Sequence, residues 1–354
     1  MADTPVPGDT KPATTPGSPA TAPIGEFAGV DRNPYVYDTM GILYPRDPTL
    51  AARGGGRSYL IYDEAELDPR VFSVMQKRKR ALAAFPWMVT EASSAPADKA
   101  AAELVERALH AMNFSALCEY LNDAILKGFS VVELIWELVD DRWWFPVEAR
   151  IRDQRRFRFD KTYVLRMIDR TNLVNGFELP ARKFIVHTFN PKDGDPYGRG
   201  LGAILWWRAF FKRQNEAAWL IHNEKYGSPT AVGTYPVGAG PDTQQALLDA
   251  CRAFSTDSAI IKPDGSTIEL LEASGSAGAD TFSLFKESQN DDISETVLGA
   301  TFAANAGPLD GGAGADADTE DRLELARSDA DNLAQVLNKT IVAWIVWINM
   351  PAAR

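Results

Sequence analysis

Cysteine and histidine are nearly missing from this chain. Cys118 and Cys251 are the only thiols in 354 residues. They lie far apart within helical patterns, which points to reduced, buried thiols and argues against a disulfide framework. The three histidines, His110, His187 and His222, are scattered and have no Cys, His or Asp neighbours at metal-ligand spacing. No GxxxxGK[ST] loop is present, which argues against the ATP-driven partner of a motor. No GxSxG elbow offers a serine nucleophile. No basic-then-apolar segment opens the chain, so no secretory leader is expected. No apolar run reaches the ~18 residues of a membrane span, and the closest, 341–348, is too short. Positive charge is also in deficit: 37 Lys and Arg stand against 48 Asp and Glu, for a net charge of -11. This argues against nucleic acid wrapped tightly over the whole surface. It does not exclude a channel or patch that meets DNA loosely.

What is present is helix, aromatic side chains and one β-rich block. The chain is organised around residues 195–233. Glycines at 198, 200 and 202 open this stretch with a tight turn. The next two dozen residues lack proline, and Leu201, Ile204, Leu205, Phe211, Ala218 and Trp219 recur at helical spacing. Gly227 and Pro229 end the helix. Trp206, Trp207 and Trp219 crowd it on more than one side. They are candidate interface residues, against a second layer or another subunit, with burial in the chain's own core as the alternative.

Before this stretch, residues 1–34 are rich in Pro, Thr, Ala and Gly, the composition of a disordered arm. Residues 35–128 read as a helical region with short strands. It holds a helix over 66–84, an extended segment over 85–90, a helix from Pro96, and another capped by Ser115 that runs to Lys127. The run Lys77, Arg78, Lys79, Arg80 cannot share one helix face and is expected to be solvated. Residues 129–200 read as a mostly antiparallel β module, with a turn at Asp140-Asp141 and period-2 alternation through Phe157 and Phe159. Its arginines include Arg155 and Arg158. They suit subunit salt bridges or plain surface first and phosphate contact second.

Residues 201–298 contain the long helix, a helix capped by Asp242, a β-hairpin around 263–265 and a helix over 280–298. Residues 299–319 read as a long flexible loop of small residues, without Lys or Arg, that carries Asp310, Asp316 and Asp318. Residues 320–354 are a final helix capped by Asp318, with Leu333, Leu337, Ile341 and Trp344 on its apolar side; Trp344 is a further interface candidate. Acidic clusters at 291–295 and 316–321 fit helix capping better than ion binding. No catalytic, cofactor or metal site is read. The fold class is α+β.

Several segments in fixed order resemble one family. They are KGFSVVELIWE at 127–137, RRFRFD at 155–160, LPARKFIVHTF at 179–189, PYGRGLGAILWW at 196–207 and NEKYGSPTAVGTY at 223–235. ISETVLGATFAANAG at 293–307 and DADNLAQVLNKTIVAWIVWIN at 329–349 follow. Over residues 60–350 the chain resembles the Mu-like (gp29-like) phage portal proteins, a family also found in prophages. The chain departs from it at Ala300, where the family usually has a polar residue such as Gln. Its glycine loop is shorter and it ends soon after the last helix, so a reduced outer rim is expected.

The resemblance implies a portal fold assembled into a homo-oligomeric ring of about twelve subunits at one capsid vertex. Double-stranded DNA would pass nonspecifically through the ring during packaging and ejection. The implied partners are the terminase large subunit, a neck or head-tail adaptor, and the major capsid protein or scaffold. The implied location is the virion, with assembly in the host cytoplasm; no membrane, cofactor or catalysis is implied. The helix at 201–226 would belong to the packed layer around the channel, and 280–298 with the following loop to the channel wall and tunnel loop. The rival readings are another head-tail connector protein and, behind it, a metal-dependent DNA enzyme.

Overall fold

The computed structural model describes residues 42–54, 58–227, 231–254, 259–264, 277–299 and 313–350. The expected arm at 1–34 and Asp310 lie outside the described residues.

Asp68 caps α2 (Pro69–Ala83), accepting from the amides of Arg70 and Val71, with Pro69 in the first turn. This cap separates α2 from the short α1 (Leu60–Glu66), so the helix expected over 66–84 starts later, at Pro69. Helix α3 (Pro96–His110) begins at its proline as read. Helix α4 (Phe114–Leu121) is capped by Asn113, whose side chain accepts from the amide of Ala116, and not by Ser115. The chain breaks after Leu121 and resumes as α5 (Ala124–Lys127). Residues 86–90 form no strand.

The β block is antiparallel, as the alternation predicts. Strand β1 (Phe129–Val139) pairs with β2 (Trp143–Arg152) on one side and β6 (Phe184–Thr188) on the other. Asp140 and Asp141 both take positive φ, 53° and 51°, which suits the tight reversal between β1 and β2. A second sheet joins β3 (Phe157–Phe159), β4 (Leu165–Met167) and β5 (Phe177–Glu178). Strand β1 is covered on both faces. Phe129 and Val131 enter a core with α1, α2, α6 (Gly202–Gly227) and α8 (Ala277–Leu298). Val132 and Leu134 enter a second core with α3, α4, α9 (Ala313–Leu337) and α10 (Ala343–Asn349).

Three further expectations change. Strand β7 (Ala231–Tyr235) pairs with β8 (Ala259–Pro263) in parallel, joined through α7 (Pro241–Phe254). Strand β8 therefore finds its partner across a helix; the second arm of the expected hairpin lies outside the described residues. Helix α7 starts at Pro241, one residue before the expected cap. Helix α9 starts at Ala313, six residues before Thr319, and takes in the end of the expected loop. Alternating alanines favour helix there, and Asp316 and Asp318 fall in its first turns, where negative charge opposes the helix dipole favourably. A π-helical turn (Asn338–Val342) links α9 to α10.

Candidate functional site

Helix α2 is where the long helices are fastened. Val71, Val74, Met75, Arg78 and Leu82 follow helical spacing and are buried. Arg78 therefore lies inside the apolar seam and needs partners there. Its Nε donates to Asp329 Oδ2 on α9 at 2.8 Å, and its Nη1 donates to the Val297 carbonyl at 2.8 Å. Val297 sits in the last turn of α8, where a cation also meets the negative end of the helix dipole. One side chain thus ties the end of α8 to the body of α9. These two helices flank residues 300–312. One turn before Val297, Arg70 Nε donates to Ser294 Oγ at 2.8 Å.

The next side chain, about 100° round the helix, meets different partners. Lys79 Nζ reaches Asp123 Oδ1 at 3.0 Å and Glu66 at 3.5 Å. Asp123 also meets Lys127 at 3.3 Å and accepts from Gln154 Nε2 at 3.0 Å. Burial pushes the Asp123 carboxyl up, but Lys127, Lys79 and the Gln154 amide outweigh it and hold it below the usual carboxylate range. The α2 cap itself is paired: Lys212 Nζ of α6 lies 2.9 Å from Asp68 Oδ2, with both side chains buried.

The solvated run expected at 77–80 is therefore only half solvated. Lys77 and Arg80 are exposed, while Arg78 and Lys79 are buried. Four consecutive charges on a helix covered on two sides must send some of them inward. The spacing of Arg78 from Val74 and Leu82 carried that signal. The acidic partners, 44 and 251 residues away, had no local mark.

Helices α6 and α8 run antiparallel. Arg208 pairs with Asp292 at 3.0 Å, Glu216 with Lys286 at 3.0 Å, and Trp219 stacks on Phe282 at 6.4 Å. Towards the far end of this pair, apolar side chains face out: Leu220, Ile221 and Leu284 are 65–70 % exposed, and Phe285 is 40 %.

The expected interface residues divide. Trp206 is buried in its own chain and stacks on Phe210 at 5.2 Å. Trp207 is half-buried; its indole N–H donates to Thr49 Oγ1, and the Arg53 guanidinium lies 5.1 Å from its ring centre. Both thus have partners within the subunit. Trp219 and Trp344 are half-buried. Arg155 pairs with Asp153 at 2.6 Å, and Arg158 donates to the Phe157 carbonyl at 2.7 Å. The side chains of Asp316 and Asp318 lie outside the described residues. Among the described residues, no three His, Cys, Asp or Glu gather to hold a metal, and no helix is long and apolar enough to cross a membrane.

Residues 59–354 match the family model described as portal protein of Mu bacteriophage. The portal protein of Escherichia phage Mu is 28 % identical over 294 residues, covering 82 % of this chain and 57 % of the relative. The Mu-like prophage FluMu protein gp29 of Haemophilus influenzae is 28 % identical over 299 residues, covering 80 % of this chain and 55 % of the relative. The chain thus spans a little over half the length of each. Among solved structures, a chain from the neck of an empty GTA particle, computed with C6 symmetry, aligns with a TM-score of 0.48 and 15 % identity. That alignment covers 83 % of this chain and 81 % of the other. By the family match over residues 59–354, this chain belongs to the portal proteins of Mu-type bacteriophages.

Proposed function

We propose that this chain is one subunit of a homo-oligomeric ring of about twelve copies, set at a capsid vertex, through which double-stranded DNA is packaged and ejected. The observation that carries the reading is the family match over residues 59–354. The exposed apolar residues towards the far end of the α6–α8 pair add to it, because neighbouring copies in a ring would cover them. Helices α6 and α8 line the ring, and residues 300–312, between α8 and α9, approach the DNA. Asp310 there repels phosphate, and a net charge of -11 favours sliding over sticking. The terminase large subunit, a neck or head-tail adaptor, and capsid or scaffold protein dock on the outside. The ring performs no catalysis of its own.

Electron microscopy of the purified protein tests the ring directly. Rings with a central opening are expected, and a monomer at every working concentration overturns the reading. Asp310→Lys tests the channel. In the sequence it falls between α8 and α9 and in neither, and assembly is expected to persist, while each added lysine gives DNA a phosphate contact and steepens the salt dependence of retention. Packaging should then stall. Unchanged packaging would place residues 300–312 away from the DNA path.

A further inference from the structure

The connection between β4 and β5, residues 168–176, holds two apolar side chains out in water. Leu173 is 64 % exposed and Val174 44 %. The loop that carries them is fixed by its own side chains. Asp169 Oδ1 accepts from the Thr171 and Asn172 amides at 2.7 and 3.0 Å. Asn172 Oδ1 accepts from the Asn175 and Gly176 amides, both at 3.2 Å, and its Nδ2 donates to the Gly176 carbonyl at 2.9 Å. A loop ordered in this way loses little further entropy when its tip docks. Arg170 stands at the base of the tip, exposed and with no ion pair among the described residues.

A matching hollow lies elsewhere on the chain. A groove of about 380 Å³ runs between residues 85–90 and α9. Trp87, Met88, Leu109, Phe114 and Leu337 are among the side chains that line it. Met88, on its lip, is 81 % exposed. The main chain of residues 86–90 pairs with no other main chain among the described residues. Asp331 on α9 is the one charge among the described lining residues, and it too is exposed with no cationic partner among them.

Tip and groove are complementary in two independent ways. Apolar side chains face an apolar hollow, and a free guanidinium accompanies one while a free carboxylate accompanies the other. Both stay open to solvent in the single chain. Two different patches of one molecule that fit each other make a head-to-tail contact, the kind that generates a ring when its rotation closes. A second copy of this chain is therefore the occupant that the surfaces favour, since the chain itself supplies both halves.

We propose that the 168–176 loop of one copy seats Leu173 and Val174 in the groove of the next, with Arg170 paired to Asp331 of the partner subunit. The inference rests on the ring reading above and adds a contact between neighbours away from the α6–α8 end.

The test uses the full chain in sedimentation at fixed salt. Arg170→Glu and Asp331→Lys should each raise the concentration needed for half-assembly by about tenfold or more, because each sets like charges face to face. The double variant restores opposite charges and should assemble as the wild type does. Both positions are exposed, so thermal unfolding of the subunit should not move. Leu173→Cys combined with Met88→Cys should give a ladder of covalently joined copies on a non-reducing gel after mild oxidation. Single charge variants that assemble normally, a double variant no better than the singles, or a disulfide confined to single chains would each overturn the contact. Where rings are still seen by electron microscopy, that result removes this contact and leaves the ring reading standing; where the wild type forms no rings, both fall. Single variants that assemble normally but lose a terminase, adaptor or capsid protein would assign these surfaces to that protein instead.

Discussion

Arg78 on α2 and Asp329 on α9 meet at 2.8 Å across 251 residues of chain, and both side chains are less than a tenth exposed. The same guanidinium holds the Val297 carbonyl. Arg78 is thus a joint that ties α8 to α9, the two helices on either side of residues 300–312.

Breaking that joint on one side should be far worse than removing it. Arg78→Met leaves Asp329 as a buried, unpaired charge and Val297 without its donor, for a loss of ~3–5 kcal/mol in urea unfolding. Arg78→Met combined with Asp329→Leu should recover much of this. A double variant no more stable than the single one would show that the pair contributes more than mutual compensation.

A second prediction separates core from interface. Trp206→Ala should cost the folded subunit ~3–5 kcal/mol, since it empties a packed site. Leu220→Asp with Ile221→Asp changes exposed positions and should shift subunit stability by no more than ~0.5 kcal/mol each. Sedimentation should nevertheless show that assembly is lost. Normal assembly of the Leu220/Ile221 double variant would remove this end of α6 from the interface.

Much of this arrangement is legible in the sequence. Helices α3 and α6 announced themselves by periodicity and by their prolines and glycines, and the β1–β2 hairpin by its Asp-Asp turn. Those signals are local. Arg78 was legible only as a charge within an apolar stripe. Its partner Asp329 was not legible, because pairing across the fold leaves no trace in spacing. The parallel register of β7 with β8 was hidden for the same reason, since a strand's composition does not name its neighbour. Trp206 and Trp207 looked like interface residues because aromatics mark core and interface alike.

The glycines at 198 and 200 give a third prediction, for reasons beyond turn geometry. Gly198 has φ of 64°, but Gly200 has no such need. A Cβ on Gly200 would overlap the Leu126 carbonyl oxygen and the Gly128 amide nitrogen. The entry to α6 is therefore pressed backbone to backbone against the α5–β1 junction. Gly200→Ala should destabilise by ~1–3 kcal/mol or more in thermal or urea unfolding. Gly194→Asn should be nearly neutral: its φ of 68° tolerates asparagine, and nothing lies within 4 Å. Equal effects would show that the close approach at Gly200 is relieved by movement.

The fourth prediction concerns acid. Burial lowers the His187 imidazole from 6.5 to about 4, with Asp329 opposing the shift. Between these values the unfolded chain takes up a proton that the folded chain refuses. Stability should therefore fall as pH drops from about 6.5 to about 4, and this contribution should level off below. Carboxylates such as Asp123, held low in the fold, also lose their contribution in acid, so the comparison must be with His187→Gln. Relative to that variant, the wild type should lose on the order of 3 kcal/mol over the window. Parallel pH profiles for the two proteins would mean that His187 is not the group refusing the proton.

Because Arg78 waits for Asp329, the core around α2 cannot close until a residue 251 positions further along the chain has been made. When α2 leaves the ribosome, its guanidinium has neither Val297 nor Asp329 to meet, and the helix must stay open to water until α9 arrives. A chain cut short before α9 would keep that charge outward and the adjoining apolar seam uncovered. Unfinished subunits would thus be marked for chaperones and proteases, while finished ones present a closed body to their neighbours.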